Sequence, residues 1–509
     1  MSLVRTISAA TLVFSMCVPL ADAVEWPHYA GDSARTATAP RATRDLDTIR
    51  WSTTPGSDEE YVWRSGPAVH GGRVFVNARR FVNDVHEGNL VIAYDLAEGT
   101  RLWATPIEID IYDSWASPAV DVRNQTVLLG SGQTLYALDT ASGAVAWQTP
   151  LDLLIVNSSP AVSTDLLDDG APANRAFIAD YDDAGSSAKL YGINVDPFEA
   201  AHNPYEPGEI VWSVSLPGSG GNTPAYANGV VYAASTEGIV KAVDALDGSL
   251  VRETDVELSG SPQYSSFYGG VCARNGYVYA ASYVFYGSGN NSGLFKLDAA
   301  TGEIEWVAPC ERTESIPIVT DDGRICLSAG IQFGESVVKI QAFQDNGGSV
   351  TALWDTHVDT GGELVVGGWT HQPAYARGYL YAGTPNDDGT SFFGPYTDLY
   401  ILDTATTPGA PDFIVAHHVG AGGSPAIADG TVYSFGQAGL LAFDPSPACL
   451  ADLDGDGTVG LSDLATLLAA YGTSRGDADF NSDADLNRDG TVDLSDLAGV
   501  LAVYGEACP

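Results

Sequence analysis

Cysteine, methionine and basic side chains are scarce in this chain of 509 residues. It holds six cysteines, two methionines and 23 lysines and arginines against 65 aspartates and glutamates, which gives a net charge of −42. No two cysteines are adjacent and no CxxC pair occurs, which excludes a zinc ribbon, a thioredoxin-type dithiol and a CxxCH haem site. A surface this acidic repels phosphate backbones, so nucleic acid is not expected as a partner.

Long apolar runs and common hydrolase motifs are also missing. Beyond the N-terminus, no stretch approaches the roughly 20 apolar residues that a membrane span needs. Neither GxSxG nor HExxH occurs, which disfavours α/β-hydrolase and zinc-protease chemistry. The N-terminus carries Arg5, a short apolar run and the small-residue site Ala21-Asp22-Ala23, which is the pattern of a secretory signal peptide over residues 1–23. We therefore expect a secreted protein, either extracellular, on the cell surface or periplasmic.

Export makes disulfides chemically accessible to the cysteines of the mature chain. Cys449 and Cys508 bracket the last part of the sequence, and a disulfide between them would clasp its ends. Cys310 and Cys326 are the second candidate pair. Cys272 would then remain as a buried core thiol.

Residues 24–448 contain a repeated unit. One copy runs from Ser117 to Trp147, another from Thr223 to Val251 and a third from Arg274 to Trp306. The copies share apolar residues at alternate positions, a Gly-rich turn, an Asp-x-x-x-Gly turn and a closing strand that often carries Trp. These are strand and hairpin signals. Four strands at roughly 40–50-residue spacing are typical of propeller blades.

Eight blade starts can be counted. They are Gly66-Pro67-Ala68, Ser117-Pro118-Ala119, Ser159-Pro160-Ala161, Thr223-Pro224-Ala225, Ser265-Ser266-Phe267, Ile316-Pro317-Ile318, Gln372-Pro373-Ala374 and Ser424-Pro425-Ala426. The last blade lacks its own fourth strand, and Ile49-Arg50-Trp51 offers a matching one. The sequence thus predicts an all-β, eight-bladed β-propeller closed by this N-terminal strand, which removes an open sheet edge. Seven blades and a stray strand are the alternative.

The units resemble quinoprotein-like (PQQ-like) propeller repeats, whose pattern is close to VYVGS-DG-LYALDA-TG-xxW. The stretch WPHYAGD, from Trp26 to Asp32, also resembles the opening of many such bacterial propellers. The resemblance implies the fold, but these repeats serve both enzymes and non-catalytic scaffolds. Larger quinone dehydrogenases of this type stack the cofactor between a tryptophan and a vicinal disulfide. Because this chain has no adjacent cysteines, PQQ is not expected.

Residues 449–509 contain two acidic loops of EF-hand type, each followed by an amphipathic helix that starts near Leu461 or Leu494. Oxygen donors recur at the spacing that calcium requires, with Gly at position six for the sharp turn. Two calcium ions are therefore expected. The candidate ligands are Asp452, Asp454, Asp456, Thr458 and Asp463 in the first loop and Asp485, Asn487, Asp489, Thr491, Asp493 and Asp496 in the second.

These duplicated loop–helix units, with no entering helix, resemble a type I dockerin. The resemblance implies calcium-dependent folding and docking onto a cohesin-type receptor through the paired helices. The expected domains are a signal peptide (1–23), a quinoprotein-like propeller (24–448) and a small all-α, dockerin-like calcium-binding domain (449–509). A core of about sixty residues is marginal alone, so bound metal would stabilise it.

Three functions remain open for the propeller: a binding or assembly module, which we favour, a carbohydrate-active enzyme of polysaccharide catabolism, and a PQQ-dependent dehydrogenase. No catalytic residue can be named, because 65 acidic residues always allow some carboxylate pair to be chosen. A ligand is expected at the channel mouth, where aromatic residues offer stacking faces to sugars or planar rings and polar residues offer anchors. The candidates, for each of which packing between blades is the alternative, are Trp63, Arg64, Trp115, Asn157, Asn222, Tyr264, Trp369 and His371.

Overall fold

The computed structural model describes residues 25–83, 85–107, 114–164, 166, 173–185, 188–257, 266–284, 290–331, 336–386, 394–474, 477, 479–481, 483–487 and 491–508. The predicted signal peptide over residues 1–23 lies outside the described residues, as do Tyr264 and Asp489. By internal contacts the described chain forms two units, one ending at Ser446 and the other over Pro447–Cys508. None of the helices within these ranges is long and apolar enough to cross a membrane.

The larger unit is an eight-bladed β-propeller whose blades are four-stranded antiparallel sheets. Three short strands precede the first blade: β1 (Thr38–Ala39), β2 (Ile49–Thr53) and β3 (Glu59–Tyr61). Blades 1 to 4 comprise β4 (Ala68–His70), β5 (Arg73–Val82), β6 (Val85–Asp95) and β7 (Arg101–Ile107); β8 (Ala119–Asp121), β9 (Thr126–Ser131), β10 (Thr134–Asp139) and β11 (Val145–Pro150); β12 (Ala161–Val162), β13 (Arg175–Ala179), β14 (Lys189–Asn194) and β15 (Ile210–Ser215); and β16 (Ala225–Ala227), β17 (Val230–Ala234), β18 (Ile239–Asp244) and β19 (Leu250–Asp255).

Blades 5 to 8 complete the ring. They comprise β20 (Val271–Arg274), β21 (Tyr277–Ala281), β22 (Ser292–Asp298) and β23 (Ile304–Cys310); β24 (Ile318–Val319), β25 (Arg324–Ala329), β26 (Lys339–Asp345) and β27 (Val350–Asp355), followed by the short helix α1 (Thr356–Asp359); β28 (Ala374–Ala376), β29 (Tyr379–Pro385), β30 (Tyr396–Asp403) and β31 (Ile414–Val419); and β32 (Ala426–Ala428), β33 (Thr431–Gly436) and β34 (Gly439–Phe443).

The eighth blade takes its outer strand from the N-terminal part of the chain. Strand β2 pairs antiparallel with β34, with Ile49 opposite Phe443 and Thr53 opposite Leu440. The predicted closure is confirmed, and the alternative of seven blades with a stray strand is wrong. The N-terminal strand thus gives the last blade its fourth strand and joins the two ends of the propeller chain in one sheet.

The fifth blade starts later than the sequence predicted. Its innermost strand is β20, which begins at Val271, and not the predicted Ser265-Ser266-Phe267. The chain before this strand approaches blade 6 closely, since a Cβ on Gly269 would lie 2.3 Å from the carbonyl oxygen of Glu314. No Pro-Ala pair marks the start of this strand, so the sequence pattern predicts it too early.

A second role of the N-terminal part is to cross the central channel. Residues 26–43, here called the channel segment, hydrogen-bond to the inner edges of several blades, and β1 pairs in parallel with β28 of blade 7. Amides of the innermost strands donate hydrogen bonds to carbonyls of the channel segment, with N···O distances of 2.7 to 2.9 Å. The donor and acceptor residues are Val69 and Trp26, Val120 and Pro27, Tyr226 and Ser33, Ala273 and Ala34, and Tyr375 and Ala37. The channel segment thus satisfies inner-edge amides of five blades, two of them through Trp26 and Pro27 of the WPHYAGD stretch.

The smaller unit contains α2 (Pro447–Ala451), α3 (Leu461–Ala470) and α4 (Leu494–Ala502). The helix α2 enters the first loop, which the sequence did not predict. The two halves pair reciprocally: the Val459 amide donates to the Glu506 carbonyl (2.9 Å), and the Val492 amide to the Thr473 carbonyl (3.0 Å). The end of the first loop is therefore bonded to the residues that follow α4, and the end of the second loop to the residues that follow α3.

The disulfide Cys449–Cys508, with Cα atoms 4.7 Å apart, joins the two ends of this smaller unit as predicted. The second candidate pair is wrong, because Cys310 and Cys326 are free buried thiols on strands of different blades. Cys272 is also free and buried, in agreement with the prediction.

Candidate functional site

The loops that enter the innermost strands surround a small cavity on the propeller axis, with about 30 Å³ of space open to a water-sized molecule. Residues from several blades and from the channel segment line it, because each blade sends the start of its first strand towards the axis. The lining residues that matter below are Tyr29, Arg64, Trp115, Asn157, Tyr268 and Glu314.

Arg64 is held between two indole rings at this site. Its guanidinium carbon lies 3.8 Å from the ring centroid of Trp115 and 4.3 Å from that of Trp369. Burial lowers the pKa of Arg64 to about 10, so the side chain remains cationic at neutral pH. Desolvated cation–π contacts are worth roughly 2 kcal/mol or more. The indole faces that were predicted to stack on a ligand are therefore in contact with the Arg64 side chain of the same protein.

Three other residues predicted at the ligand site do not line the cavity but make contacts inside the protein. Trp63 packs edge-on against Phe435, with 6.1 Å between ring centroids. His371 is fully buried, and its Nε2 accepts a hydrogen bond from the Gly383 amide (3.0 Å). Asn222 donates from Nδ2 to the carbonyls of blade 5, at Phe267 (2.7 Å) and Gly269 (3.0 Å). Of the described candidates, Arg64, Trp115 and Asn157 line the cavity, and Trp369 joins them through Arg64.

Glu314 is the carboxylate of the cavity, and the sequence did not single it out. Burial raises the pKa of Glu314 to about 7, and the nearby charge of Arg64 opposes this rise. A register signal exists: Arg64, Trp115, Asn157 and Glu314 all stand three positions before a blade-start proline. The residue three positions before each blade-start proline is therefore the sequence signal that identifies Glu314 as a cavity residue.

The channel segment contributes Tyr29 to the same cavity and holds it in place with Arg35. The Arg35 side chain is fully buried and donates Nη1 to the Tyr29 carbonyl at 2.8 Å. Its other donors reach two blades, Nε to the Pro224 carbonyl at 3.0 Å and Nη2 to the Ser159 and Pro160 carbonyls, both at 2.8 Å. One buried guanidinium therefore joins the channel segment to blades 3 and 4.

The smaller unit contains the predicted metal loops. Carboxylate oxygens of Asp452, Asp454 and Asp463 lie within 4.8 Å of one another. Asp452 and Asp463 are 6 % and 1 % exposed, and Asp463 also accepts the Gly460 amide (2.6 Å) at the start of α3. Asp456 is not in this group; it is exposed and accepts the Thr458 amide at 2.8 Å.

The second loop repeats the arrangement of the first. Asp485 and Asp496 are 2 % and 0 % exposed, and Asp496 accepts the amides of Asp493 (2.8 Å) and Asn487 (3.2 Å). Thr491 bridges to Ser474 at the loop end. Hard oxygen donors that are buried close together fit a divalent ion such as calcium.

Two sequence comparisons place the propeller among known proteins. BamB, the outer membrane protein assembly factor, of Yersinia pestis is 26 % identical over 200 residues, which is 38 % of this chain and 47 % of the relative. BamB of Escherichia coli (strain K12) is 31 % identical over 124 residues, 22 % of this chain and 29 % of the relative. The chain spans less than half the length of these curated relatives.

Solved structures share the fold. A quinohemoprotein alcohol dehydrogenase from Pseudomonas putida HK5 matches with a TM-score of 0.53 and 12 % identity, covering 82 % of this chain and 76 % of that one. Its counterpart from Comamonas testosteroni matches with a TM-score of 0.51 and 13 % identity, covering 81 % and 76 %. At these identities the likeness concerns the fold alone.

A family model described as outer membrane protein assembly factor BamB matches residues 37–189, 204–265 and 237–444. These segments end before the smaller unit begins and cover more than half of the sequence. The chain therefore belongs to this BamB-type family of PQQ-like β-propeller repeat proteins.

Proposed function

We propose that this protein is an exported assembly protein, secreted or periplasmic, whose propeller binds partners and whose C-terminal unit docks onto a cohesin-type receptor in a calcium-dependent way. The observation that carries this proposal is the duplication in the smaller unit: two loops with buried carboxylates, each followed by a helix with exposed apolar residues. The name of the family, an assembly factor, supports a role in binding over one in catalysis.

The proposed calcium ligands in the first loop include Asp452, Asp454 and Asp463, and in the second Asp485, Asn487 and Asp496. Bound calcium would neutralise carboxylates that otherwise repel one another in a buried setting, and so metal binding would stabilise the fold of the unit. Asp456, Asp489, Thr491 and Asp493 stay in the proposed set, together with the carbonyl of Thr458, since calcium takes six to eight oxygens and water can complete the shell.

The proposed docking face consists of apolar side chains that the two helices leave in solvent. Leu468 and Leu501 are 51 % and 54 % exposed, whereas Leu467 and Val500, one residue earlier on each helix, are fully buried. Tyr471 and Tyr504 extend the exposed set after each helix, at 44 % and 49 %. The repetition of exposed apolar side chains on both helices supports this face as the proposed docking surface.

Calorimetry and binding to purified type I cohesin domains, with the full chain in calcium and in EDTA, test this proposal. We expect EDTA to remove a separate unfolding transition of the smaller unit and to abolish docking. The double variant Asp463→Asn with Asp496→Asn should behave in calcium as the wild type does in EDTA, whereas Asp412→Asn, an exposed aspartate of the propeller, should not. Docking that persists in EDTA would contradict the proposal.

A separate variant tests the docking face. Leu468→Ala with Leu501→Ala should weaken cohesin binding while leaving the calcium-dependent transition in place, because both side chains are exposed and add little to the core. If this variant docks like the wild type, the exposed pair is not the docking face.

We also propose that the channel does not stack PQQ or a sugar ring between Trp115 and Trp369, since Arg64 contacts both indoles. This favours the binding module over a PQQ-dependent dehydrogenase or a carbohydrate-active enzyme. Equilibrium titration with PQQ and with oligosaccharides, followed by tryptophan fluorescence, should show no saturable change. Saturable quenching that Trp115→Ala removes would contradict this.

A further inference from the structure

We propose that the Cys449–Cys508 disulfide controls the calcium affinity of the first loop, so that reduction by a dithiol weakens this site more than the site in the second loop. The inference rests on the proposed calcium-dependent docking and deepens it, because it adds a redox control of one metal site. Such a protein acquires its full calcium affinity only in an oxidising compartment, where disulfides form and persist.

The first cysteine lies on the helix that leads into the first loop. Helix α2 (Pro447–Ala451) contains Cys449 and ends directly before Asp452, the first of the proposed ligands. The Asp452 amide donates to the Ala448 carbonyl at 3.0 Å, which extends the helical hydrogen bonding into the loop. Ala448 and Ala451 are buried in the apolar core of the smaller unit. The position of the Asp452 carboxylate therefore depends on α2 remaining packed.

The second cysteine lies on the chain that pairs with the middle of the same loop. The Cys508 amide donates to the Gly457 carbonyl at 2.9 Å, and Thr458 forms an antiparallel bridge with Ala507. Two further hydrogen bonds, at 2.8 and 2.9 Å, join Val459 to this chain. Thr458 holds loop position seven, whose carbonyl is a proposed calcium ligand. The disulfide thus joins the two stretches of chain that hold the first loop in place.

The second loop has no corresponding cross-link among the residues that the structure describes. Its middle pairs with residues 472–474, where the Val492 amide donates to the Thr473 carbonyl at 3.0 Å and Thr491 bridges to Ser474. The free cysteines of the described chain are buried in the propeller, at Cys272, Cys310 and Cys326. Loss of the disulfide should therefore act first on the first loop.

Reduction would leave the two stretches of chain beside the first loop joined by non-covalent contacts alone. The core of a unit of about sixty residues is marginal, so these stretches would detach from the loop for part of the time. Calcium binds the intact loop, and its apparent dissociation constant rises in inverse proportion to the fraction of intact loops. Linkage makes the effect reciprocal, because calcium must protect the disulfide from reduction by the same factor.

The redox step is a thiol–disulfide exchange with a dithiol. A thiolate of the reductant attacks the Sγ atom of Cys449, which is half-buried, whereas Cys508 is 7 % exposed. The Cys508 sulfur leaves as a thiolate and takes up a proton, and the second thiol of the reductant then releases Cys449. Two electrons and two protons pass from the dithiol to the protein, and the reductant becomes a cyclic disulfide.

Calorimetric titration of the full chain with calcium, with and without dithiothreitol, tests the proposal. We expect two sites in the oxidised chain, and reduction should raise the dissociation constant of one of them about tenfold or more as the fraction of intact loops falls. Asp496→Asn, which removes a ligand of the second loop, should keep a site that responds to dithiothreitol. Asp463→Asn should keep a site that responds less. The double variant Cys449→Ala with Cys508→Ala should bind calcium like the reduced wild type and not respond to dithiothreitol.

A second measurement uses the wild type alone and covers the case in which the variants do not fold. Buffers of reduced and oxidised dithiothreitol, with trapping of free thiols, give the reduction potential of the disulfide in calcium and in EDTA. We expect a potential about 30 mV more negative in calcium for each tenfold difference in affinity.

The outcomes separate this inference from the proposed function. If the oxidised wild type binds no calcium, the proposed function fails and the inference fails with it. If calcium binds, the inference alone is overturned by equal affinities before and after reduction, by equal losses at both loops, or by a reduction potential that does not depend on calcium.

Discussion

The indole of Trp51 lies so close to Gly99 that a Cβ on this glycine would come within 2.5 Å of Trp51 Cδ2. Trp51 is on the closing strand β2, and Gly99 ends the Asp-x-x-x-Gly turn of blade 1. The indole Nε1 also donates to the Leu96 carbonyl in that turn, at 2.9 Å. Other blades repeat the contact, since a Cβ on Gly143 would lie 2.6 Å from the ring of Trp103. The Trp that ends one blade therefore packs on the turn of the next.

Gly99→Ala should destabilise the propeller strongly. The position has φ +67°, which strains any residue with a Cβ, and the added methyl group would overlap Trp51. We expect a loss of about 2–4 kcal/mol from strain and overpacking together. Gly72→Ala is the matched control, because Gly72 has φ +75° and no atom within 4 Å of an added Cβ. Urea unfolding should show a clearly smaller loss for Gly72→Ala; equal losses would show that the indole contact is not the cause.

Arg35→Met should loosen the channel segment. The change removes four hydrogen bonds to main-chain carbonyls, namely those of Tyr29, Ser159, Pro160 and Pro224, and leaves them without this donor in a buried setting. We expect a loss of about 3 kcal/mol or more and faster proteolysis within residues 26–43. Arg80→Met, whose guanidinium is 40 % exposed, is the control and should change little. An unchanged cleavage rate in Arg35→Met would mean that other contacts hold the segment.

Glu314→Gln should stabilise the propeller at high pH only. The pKa of this carboxyl rises from 4.5 to about 7 in the folded state, so its contribution to stability is present below pH 4.5 and is lost as the pH rises to 7. The neutral amide of Gln does not ionise, so the variant does not lose stability as the pH rises. Its free energy of unfolding should therefore equal that of the wild type near pH 4.5 and exceed it by about 1–3 kcal/mol above pH 7. A pH-independent difference would contradict the assignment.

Cys508→Ser should destabilise the smaller unit and leave the propeller unchanged. The Cys449–Cys508 disulfide closes a separation of 59 residues, which the chain-entropy account converts to about 4 kcal/mol. Calorimetry should show a lower transition temperature for residues 447–508 alone. Cys272→Ala, which truncates a buried free thiol in blade 5, should affect the propeller transition instead. A shift of both transitions by Cys508→Ser would show that the two units do not unfold independently.

Local patterns in the sequence were sufficient for most of the fold. Alternation of apolar residues predicts the strands, and the pattern of Ile49-Arg50-Trp51 matches the missing fourth strand of the last blade, where the structure places it. The start of blade 5 was predicted wrongly, since no Pro-Ala pair marks Val271. The pairing of Cys310 with Cys326 failed for a different reason: short spacing in the chain does not imply proximity when the two strands belong to different blades.

The number of blades, the ring closure and the spacing of acidic residues in the two loops can be predicted without a structure, because each depends on a pattern within a short stretch of chain. The contacts between side chains on the propeller axis, in contrast, depend on the complete fold. Arg64, Trp115, Glu314 and Trp369 come from different blades. Arg64, Trp115 and Glu314 share a position three residues before a blade-start proline, but that register does not say which of these side chains touch. Their contacts follow from closing the ring around the channel segment, which turns side chains distant in sequence into neighbours across one cavity.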